Sequence, residues 1–304
     1  MKRLGVLLFF ALFLVFCNNN VPEKVDFNIL FTTDVRGEVK GCGCRVGGGN
    51  LLQRAEQLEI TKKMYPNHIL VDGGHFIYGN GTLPRLKWQN YIKLYDMLGY
   101  DIVNVTPFDF KDGLEEFKNE IKKYDIDFIS ASLIDSKTKK YIFKPYVIKE
   151  ININGLKFKV GFIGLFEDLW FGAFPINRQN NVTVRNIEDV IKTDVKNLRD
   201  KVDILVALSY SKWELNINYA KKYPYFDIII SGNGITNKKY KVGQTLLTRA
   251  HNIAKFIGNI KLEVSKNKDI VKDDVEFISV DKDGPISDKM NEFLKKEENI
   301  NLKH

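Results

Sequence analysis

No run of five or more basic residues occurs anywhere in this chain, no internal repeat is visible, and three cysteines are the full complement among 304 residues. The first absence argues against a nucleic-acid groove. Formal net charge is +8, but the lysines are interleaved with acids, the pattern of a solvated surface. A mild attraction to anionic lipid or phosphate stays open. No linker-like stretch divides the chain, and eight prolines with 44% hydrophobic residues allow one well-buried core. The longest apolar run, residues 4–16, is also missing something: it is too short to span a bilayer comfortably.

What is present begins with that run. Lys2 and Arg3 precede LGVLLFFALFLVF, and Cys17 follows it directly, trailed by Asn18, Asn19 and Asn20. The arrangement resembles a bacterial lipoprotein signal, with Leu14 three residues before the cysteine and Phe16 where a small residue is usual. A plain secretory signal, or an uncleaved anchor with Cys17 incidental, are the other readings. The lipoprotein reading makes residues 1–17 a signal segment and 18–26 a tether. Diacylglycerol on Cys17 would then anchor an exported protein to bacterial membrane lipid, at the cell membrane or the outer membrane. Export bears on Cys42 and Cys44, because thiols outside the cytoplasm oxidise. Cys-Gly-Cys closes a small ring that reduces readily. Pinning a glycine-rich loop is the simpler role for the pair, with redox chemistry as the other. Two thiolates alone do not complete a tetrahedral metal site.

Strand-length apolar runs recur at 27–33, 68–74, 101–106, 127–133, 159–165, 203–209, 226–232, 245–250 and 259–264. Helical spacing of apolar residues marks 48–63, 86–98, 112–123 and 187–200. The alternation predicts an α/β fold of layered sheets, and the closer spacing of the later strands predicts an antiparallel part. One domain is expected over 27–304, ending in a strand and a charged helix within 266–304.

In such folds, ligands collect beyond the carboxyl ends of strands. The residues there are Asp34-Val35-Arg36-Gly37, Asp72-Gly73-Gly74-His75, Thr106-Pro107-Phe108-Asp109, Ser209-Tyr210-Ser211 and Ser231-Gly232-Asn233-Gly234-Ile235. Their order and spacing resemble the calcineurin-like metallophosphoesterase superfamily, and within it the UshA-like 5'-nucleotidases. Gly48-Gly49 followed by Arg54, MLGYDIVNVTPFDF, ASLID and GLKFKVGFIGL resemble other segments of that family. Cysteines placed like Cys42 and Cys44 resemble those of one exported branch. The resemblance covers about Phe27 to Val264. It implies a four-layer α-β-β-α sandwich of mixed sheets and a site with two bridged divalent ions that activate water for phosphoryl transfer.

Position by position, the resemblance implies a degenerate ligand set. Asp34 keeps the first aspartate. Arg36 stands at the first histidine, His75 at the bridging aspartate, Pro107 at the asparagine ligand and Phe108 at the leaving-group histidine. Asp109 keeps the acid that follows. Tyr210, Asn233 and Ile235 stand at further histidines. Proline, phenylalanine and isoleucine offer no side-chain donor, and arginine is always protonated. Asp34, His75 and Asn233 remain as candidate metal ligands, for at most one divalent ion such as manganese or zinc. Asp34, His75 and Asp109 are the catalytic candidates, and Arg36, Asn233 and His251 the binding candidates.

Plainer readings stand beside these. Asp34 is expected to pair with Arg36 or His75 in preference to a metal, and His75 as a hydrogen-bonded surface residue. Gly47–Gly49 can cradle phosphate at a helix start or simply turn into the helix, and the turn is better supported. Trp170, Phe171 and Phe174 form an aromatic loop that either stacks on a ligand or covers the core. His68 is expected at the far end of the sheet, and His304 is terminal. The expected role is therefore a non-catalytic binding or structural lipoprotein, recognising an anionic small molecule or an envelope protein and no nucleic acid. The alternative is a metal-dependent phosphoesterase or nucleotidase with an atypical site, lacking the second domain with which UshA-like enzymes grip the nucleoside.

Overall fold

The computed structural model describes residues 21–77, 86–167, 181–300 and 302. The expected signal segment with Cys17, the aromatic loop of Trp170, Phe171 and Phe174, and His304 lie outside the described residues. Strand β1 (Lys24–Thr32) shows why its sequence is apolar almost throughout. Phe27, Ile29 and Phe31 join one apolar cluster, and Leu30 joins another on the opposite side. Both faces are covered, so neither is polar.

β1 lies within a six-stranded sheet with β2 (His68–Asp72), β3 (Ile102–Asn104), β4 (Asp127–Ile129), β13 (Phe256–Ser265) and β14 (Ile270–Ser279), in the order β14-β13-β1-β2-β3-β4. β1 to β4 run parallel, and β13 pairs antiparallel with both β1 and β14. The second six-stranded sheet has β6 (Tyr146–Ile153), β7 (Leu156–Phe166), β9 (Ile204–Tyr210), β10 (Ile228–Ser231), β11 (Lys238–Val242) and β12 (Thr245–Arg249), in the order β11-β12-β10-β9-β7-β6. A two-stranded ribbon joins β5 (Leu133–Asp135) to β8 (Val182–Val184).

The two sheets pack face to face. Phe27, Phe31 and Val71 from one meet Phe162, Val206, Leu208 and Ile230 from the other. Helices α1 (Leu51–Met64), α2 (Trp88–Leu98), α3 (Leu114–Ile121) and α6 (Asp288–Glu298) cover the outer face of the first sheet. The outer face of the second is covered by α5 (Trp213–Lys222) and by α4, which runs from Ile187–Val190 through a π-helical turn, Ile191–Val195, to Lys196–Arg199. This is the expected α-β-β-α sandwich. Helix ends follow local chemistry: Asn50 and Gln53 form a capping box on α1, and Gly99 ends α2 in the left-handed conformation.

Some expectations shift. The domain expected from residue 27 begins earlier, because Lys24, Val25 and Asp26 already pair with Ser265, Val264 and Glu263 of β13. The run at 127–133 is two short strands, β4 and β5. Helix α5 and edge strands β6 and β11 carry no apolar run, since partners cover only part of each. Among the described residues no helix is long and apolar enough to cross a membrane.

At the end of β2 a polar network lies inside the helix-facing core. Asp72 Oδ2 accepts from Thr32 Oγ1 at 2.6 Å and from Tyr95 OH at 3.0 Å, and Oδ1 accepts from Gly74 N at 2.8 Å. Tyr100 OH reaches Thr32 Oγ1 at 2.6 Å, and the Tyr95 and Tyr100 rings stack at 4.1 Å. Burial raises the Asp72 carboxyl from 3.8 to about 7, against the pull of these hydrogen bonds. The folded state then holds a proton that the unfolded chain releases, so stability falls as pH rises from about 4 through 7. Urea unfolding across that range is expected to show this loss in the native protein and a flatter profile in Asp72→Asn.

Candidate functional site

Backbone pairing continues past the ends of β1 and β2 and fastens the two following loops together. Asp34 N donates to Gly74 O (3.1 Å), Arg36 N to His75 O (2.9 Å) and Gly37 N to Phe76 O (2.8 Å). Asp34, Arg36 and His75 all adopt left-handed backbone, with φ of 54°, 56° and 61°. Non-glycine residues rarely do so, and the strain persists only where surrounding contacts hold it. Gly37 is obligatory: at φ +65° an added Cβ would lie 2.0 Å from Ile77 O.

The side chains converge on Asp34, whose relative exposure is 0%. Arg36 grips its carboxylate with both arms, Nε to Oδ1 at 2.8 Å and Nη2 to Oδ2 at 2.7 Å. His75 Nδ1 lies 2.8 Å from Oδ1, and Tyr210 OH, at the end of β9, donates to the same oxygen at 3.1 Å. Nδ1 and the Tyr210 hydroxyl are 2.9 Å apart. The carboxylate thus receives donors on both oxygens from three residues. Phe108 closes one side, 4.5 Å from the His75 ring and 5.9 Å from that of Tyr210.

Burial alone would push the Asp34 carboxyl up, but the hydrogen bonds and charges of His75 and Arg36 outweigh it and hold it below its ordinary value. Burial beside Asp34 pushes the Tyr210 hydroxyl well up, so it stays protonated as a donor. Arg36 is raised, chiefly by its hydrogen bond to Asp34.

The site does not fit two divalent ions. A metal ligand must present a lone pair, and Asp34 already has donors on both oxygens, one of them a permanent cation. His75 turns Nδ1 to Asp34 and Tyr210. Asp109, also buried, accepts from Phe76 N, Ile77 N, Thr106 N and Thr106 Oγ1 at 2.7 to 3.2 Å, and holds the loops together. Among the described residues no group of three or more His, Cys, Asp or Glu side chains could hold a metal ion. Of the expected metal set of Asp34, His75 and Asn233, the first two meet each other, while Asn233 follows Gly232, which packs on Gly73 and Tyr210. The Asn233 carbonyl accepts from Arg249 Nη1 at 2.8 Å. His251 has its Nδ1 3.1 Å from Asn252 O and its ring 6.4 Å from that of Phe256, in a loop whose Ile253 N donates to Asp34 O at 2.9 Å.

Two further expectations change, and the turn favoured at Gly47–Gly49 is found. His75 is hydrogen-bonded but buried, since β2 delivers it between the sheets' ends. Gly47 N donates to Ser279 Oγ and Gly49 N to Val280 O, so these amides secure a turn and do not form an open phosphate cradle. Tyr210 becomes a member of the site; its signals in the sequence were its place at the end of an apolar strand and at one of the resembled family's histidine positions. Arg249 had no such signal. Its guanidinium stacks 5.3 Å from Trp213 and braces the 233–236 loop through Asn233 O, Thr236 O and Thr236 Oγ1.

Removing Arg36 would leave a buried carboxylate with two donors and no permanent countercharge. The Arg36 side chain is 31% exposed, so the loss in Arg36→Met is expected at about 2 kcal/mol, below the range for fully buried pairs. Because Asp34 is held below its ordinary value, its contribution is present above pH 3.8 and fades as pH falls through the folded pKa. Urea unfolding should therefore separate native protein and Arg36→Met at pH 7, with the gap narrowing as pH falls below 3.8.

No protein-family model matches the chain. It is 27% identical over 241 residues to a 2',3'-cyclic-nucleotide 2'-phosphodiesterase/3'-nucleotidase of Salmonella typhimurium, a match covering 69% of this chain and 36% of that protein. It is 24% identical over 251 residues to the trifunctional nucleotide phosphoesterase protein YfkN of Bacillus subtilis, covering 72% of this chain and 17% of that one. The chain thus spans about a third or less of these curated relatives. The crystal structure of calcineurin-like phosphoesterase YfkN from Bacillus subtilis superposes with a TM-score of 0.75 at 20% identity, over 91% of this chain and 97% of that one. The chain has the calcineurin-like phosphoesterase fold and is related in sequence to bacterial nucleotide phosphoesterases.

Proposed function

We propose that this protein uses the phosphoesterase fold for binding, with the two-metal centre replaced by an arginine–carboxylate pair. One observation carries the reading: Asp34, at the first ligand position, is held bidentately by Arg36 within the same loop. A guanidinium offers a planar fork of donors to carboxylates and phosphates, and part of this one faces solvent. The ligand class is an anionic small molecule or an acidic surface of an envelope partner. We also propose that the chain is exported and held to the membrane through lipid on Cys17.

A second reading, favoured by the relatives, is a metal-dependent phosphoesterase acting on nucleotides. Those relatives are named as nucleotidases and phosphodiesterases, and this reading has the stronger support from sequence. It requires Arg36 to swing off Asp34 so that a metal can take its place.

Metal content and turnover decide between the two. The lipid-free chain is expected to retain no manganese or zinc after incubation and desalting, and to leave bis-p-nitrophenyl phosphate and 2',3'-cyclic nucleotides intact. Two ions per chain with turnover abolished by Asp34→Asn would reject the binding reading in favour of the hydrolase. For the anchor, radiolabelled fatty acid is expected to label the native chain in bacterial cells and not Cys17→Ala; equal labelling of both would refute it.

A further inference from the structure

Away from the Asp34 cluster, the loop between β1 and α1 carries a second chemical feature. Cys42 and Cys44 are disulfide-bonded across a single glycine. The base of the loop is clamped. Gly43 N donates to Gly48 O, Glu38 Oε1 accepts from Lys40 N and Gly41 N, and a Cβ on Gly48 would lie 2.1 Å from Cys44 O. Its tip is open: Cys42 and Gly43 are exposed, and a Cβ on Gly43 would meet nothing.

Lys255, just before β13, reaches this tip. Its Nζ lies 3.4 Å from Cys44 Sγ, and among the described residues the ammonium has no carboxylate partner. Its stem lies where a Cβ on Gly47 would sit, 2.9 Å from Lys255 Cβ, so the side chain is guided along the loop. On the other sulfur, Cys44 N donates to Cys42 Sγ at 3.2 Å. A half-buried lysine directed at a sulfur is the environment that stabilises a thiolate.

We propose that Cys42–Cys44 is a redox-active disulfide that exchanges with dithiols, with Lys255 stabilising the Cys44 thiolate. The arrangement assigns the two sulfurs different parts. A thiolate of an incoming dithiol attacks the exposed Cys42 Sγ. A bond forms between those two sulfurs, the Cys42–Cys44 bond breaks, and its electron pair stays on Cys44 Sγ beside the Lys255 ammonium. The second thiol of the dithiol, deprotonated by solvent base, then attacks its partner sulfur and releases Cys42 as a thiolate that takes up a proton. The dithiol leaves as a disulfide and the protein holds Cys42 and Cys44 reduced; the reverse steps reoxidise it. The short ring works in the same direction as Lys255, since one intervening residue gives the disulfide little freedom to relax. Lys255 is a positioning residue here, acting through charge.

The test is equilibration of the folded protein in dithiothreitol and glutathione redox buffers, with alkylation and mass measurement counting free thiols. Reduction of the native protein is expected under conditions that leave stable structural disulfides oxidised. Lys255→Met should make reduction about ten-fold less favourable and slow it by a similar factor, from loss of a neighbouring charge. Lys255→Arg, which keeps the cation, should stay near the native value. In the reduced native protein, Cys44 should alkylate with a lower pH midpoint than in Lys255→Met. Resistance of the disulfide to dithiothreitol in the folded protein would overturn the proposal. So would aerobic protein with both thiols free, or equal potentials and alkylation midpoints in native protein and Lys255→Met.

Discussion

A carboxylate with no exposure to water has to find its hydrogen bonds inside the protein, and Asp34 sets the form of everything around it. Arg36 and His75 come from loops after two strands of the first sheet and Tyr210 from the end of a strand in the second, and they meet because that single anion needs donors. The left-handed backbone at Asp34, Arg36 and His75 is held by the same contacts. So is the continuation of β1–β2 pairing into loops that would otherwise diverge. Asp109 has the matching role one strand further along. It satisfies the amides of the 75–77 loop and of Thr106, and so keeps His75 and Phe108 facing each other.

The sandwich places this cluster where strand ends of both sheets approach. There the strand-end loops bring Arg36 onto the Asp34 carboxylate. A guanidinium supplies positive charge to Asp34, as a metal would, but it is tethered, always charged and unable to activate a water. The inter-sheet core of Phe27, Phe31, Phe162 and Leu208 forms an apolar cluster of its own beneath it. Relatedness to nucleotide phosphoesterases and the donor set of this site therefore point in different directions, and Arg36 is the residue on which the difference turns.

Much of the sandwich was legible beforehand. Strands buried on both faces have to be apolar along their length, so nine of them stood out as runs, and α1, α2, α3 and α4 showed helical spacing. The missing pieces were the ones without such constraint. β11, KKYKV, needs only one neighbour, and α5 covers the second sheet with little besides Trp213 and Ala220. In the site, the pairing of Asp34 with Arg36 or His75 could be expected from charge and proximity in the chain. That both pair with it, together with Tyr210 from 176 residues away, could not. Arg249 on Trp213 and Lys255 on Cys44 were equally invisible, since each joins residues distant in the sequence.

The sequence by itself determined the α/β class, the order of most strands and helices, and the fold it resembles. Those properties follow from periodicity and residue type, which are local. Only the tertiary structure decided which site residues meet, that His75 is buried, and that a lysine from β13's start faces the cysteine loop. These depend on how two sheets stack and where their loops end. Hydrogen bonds a few ångströms long are set by that stacking and leave no trace in the spacing of residues along the chain.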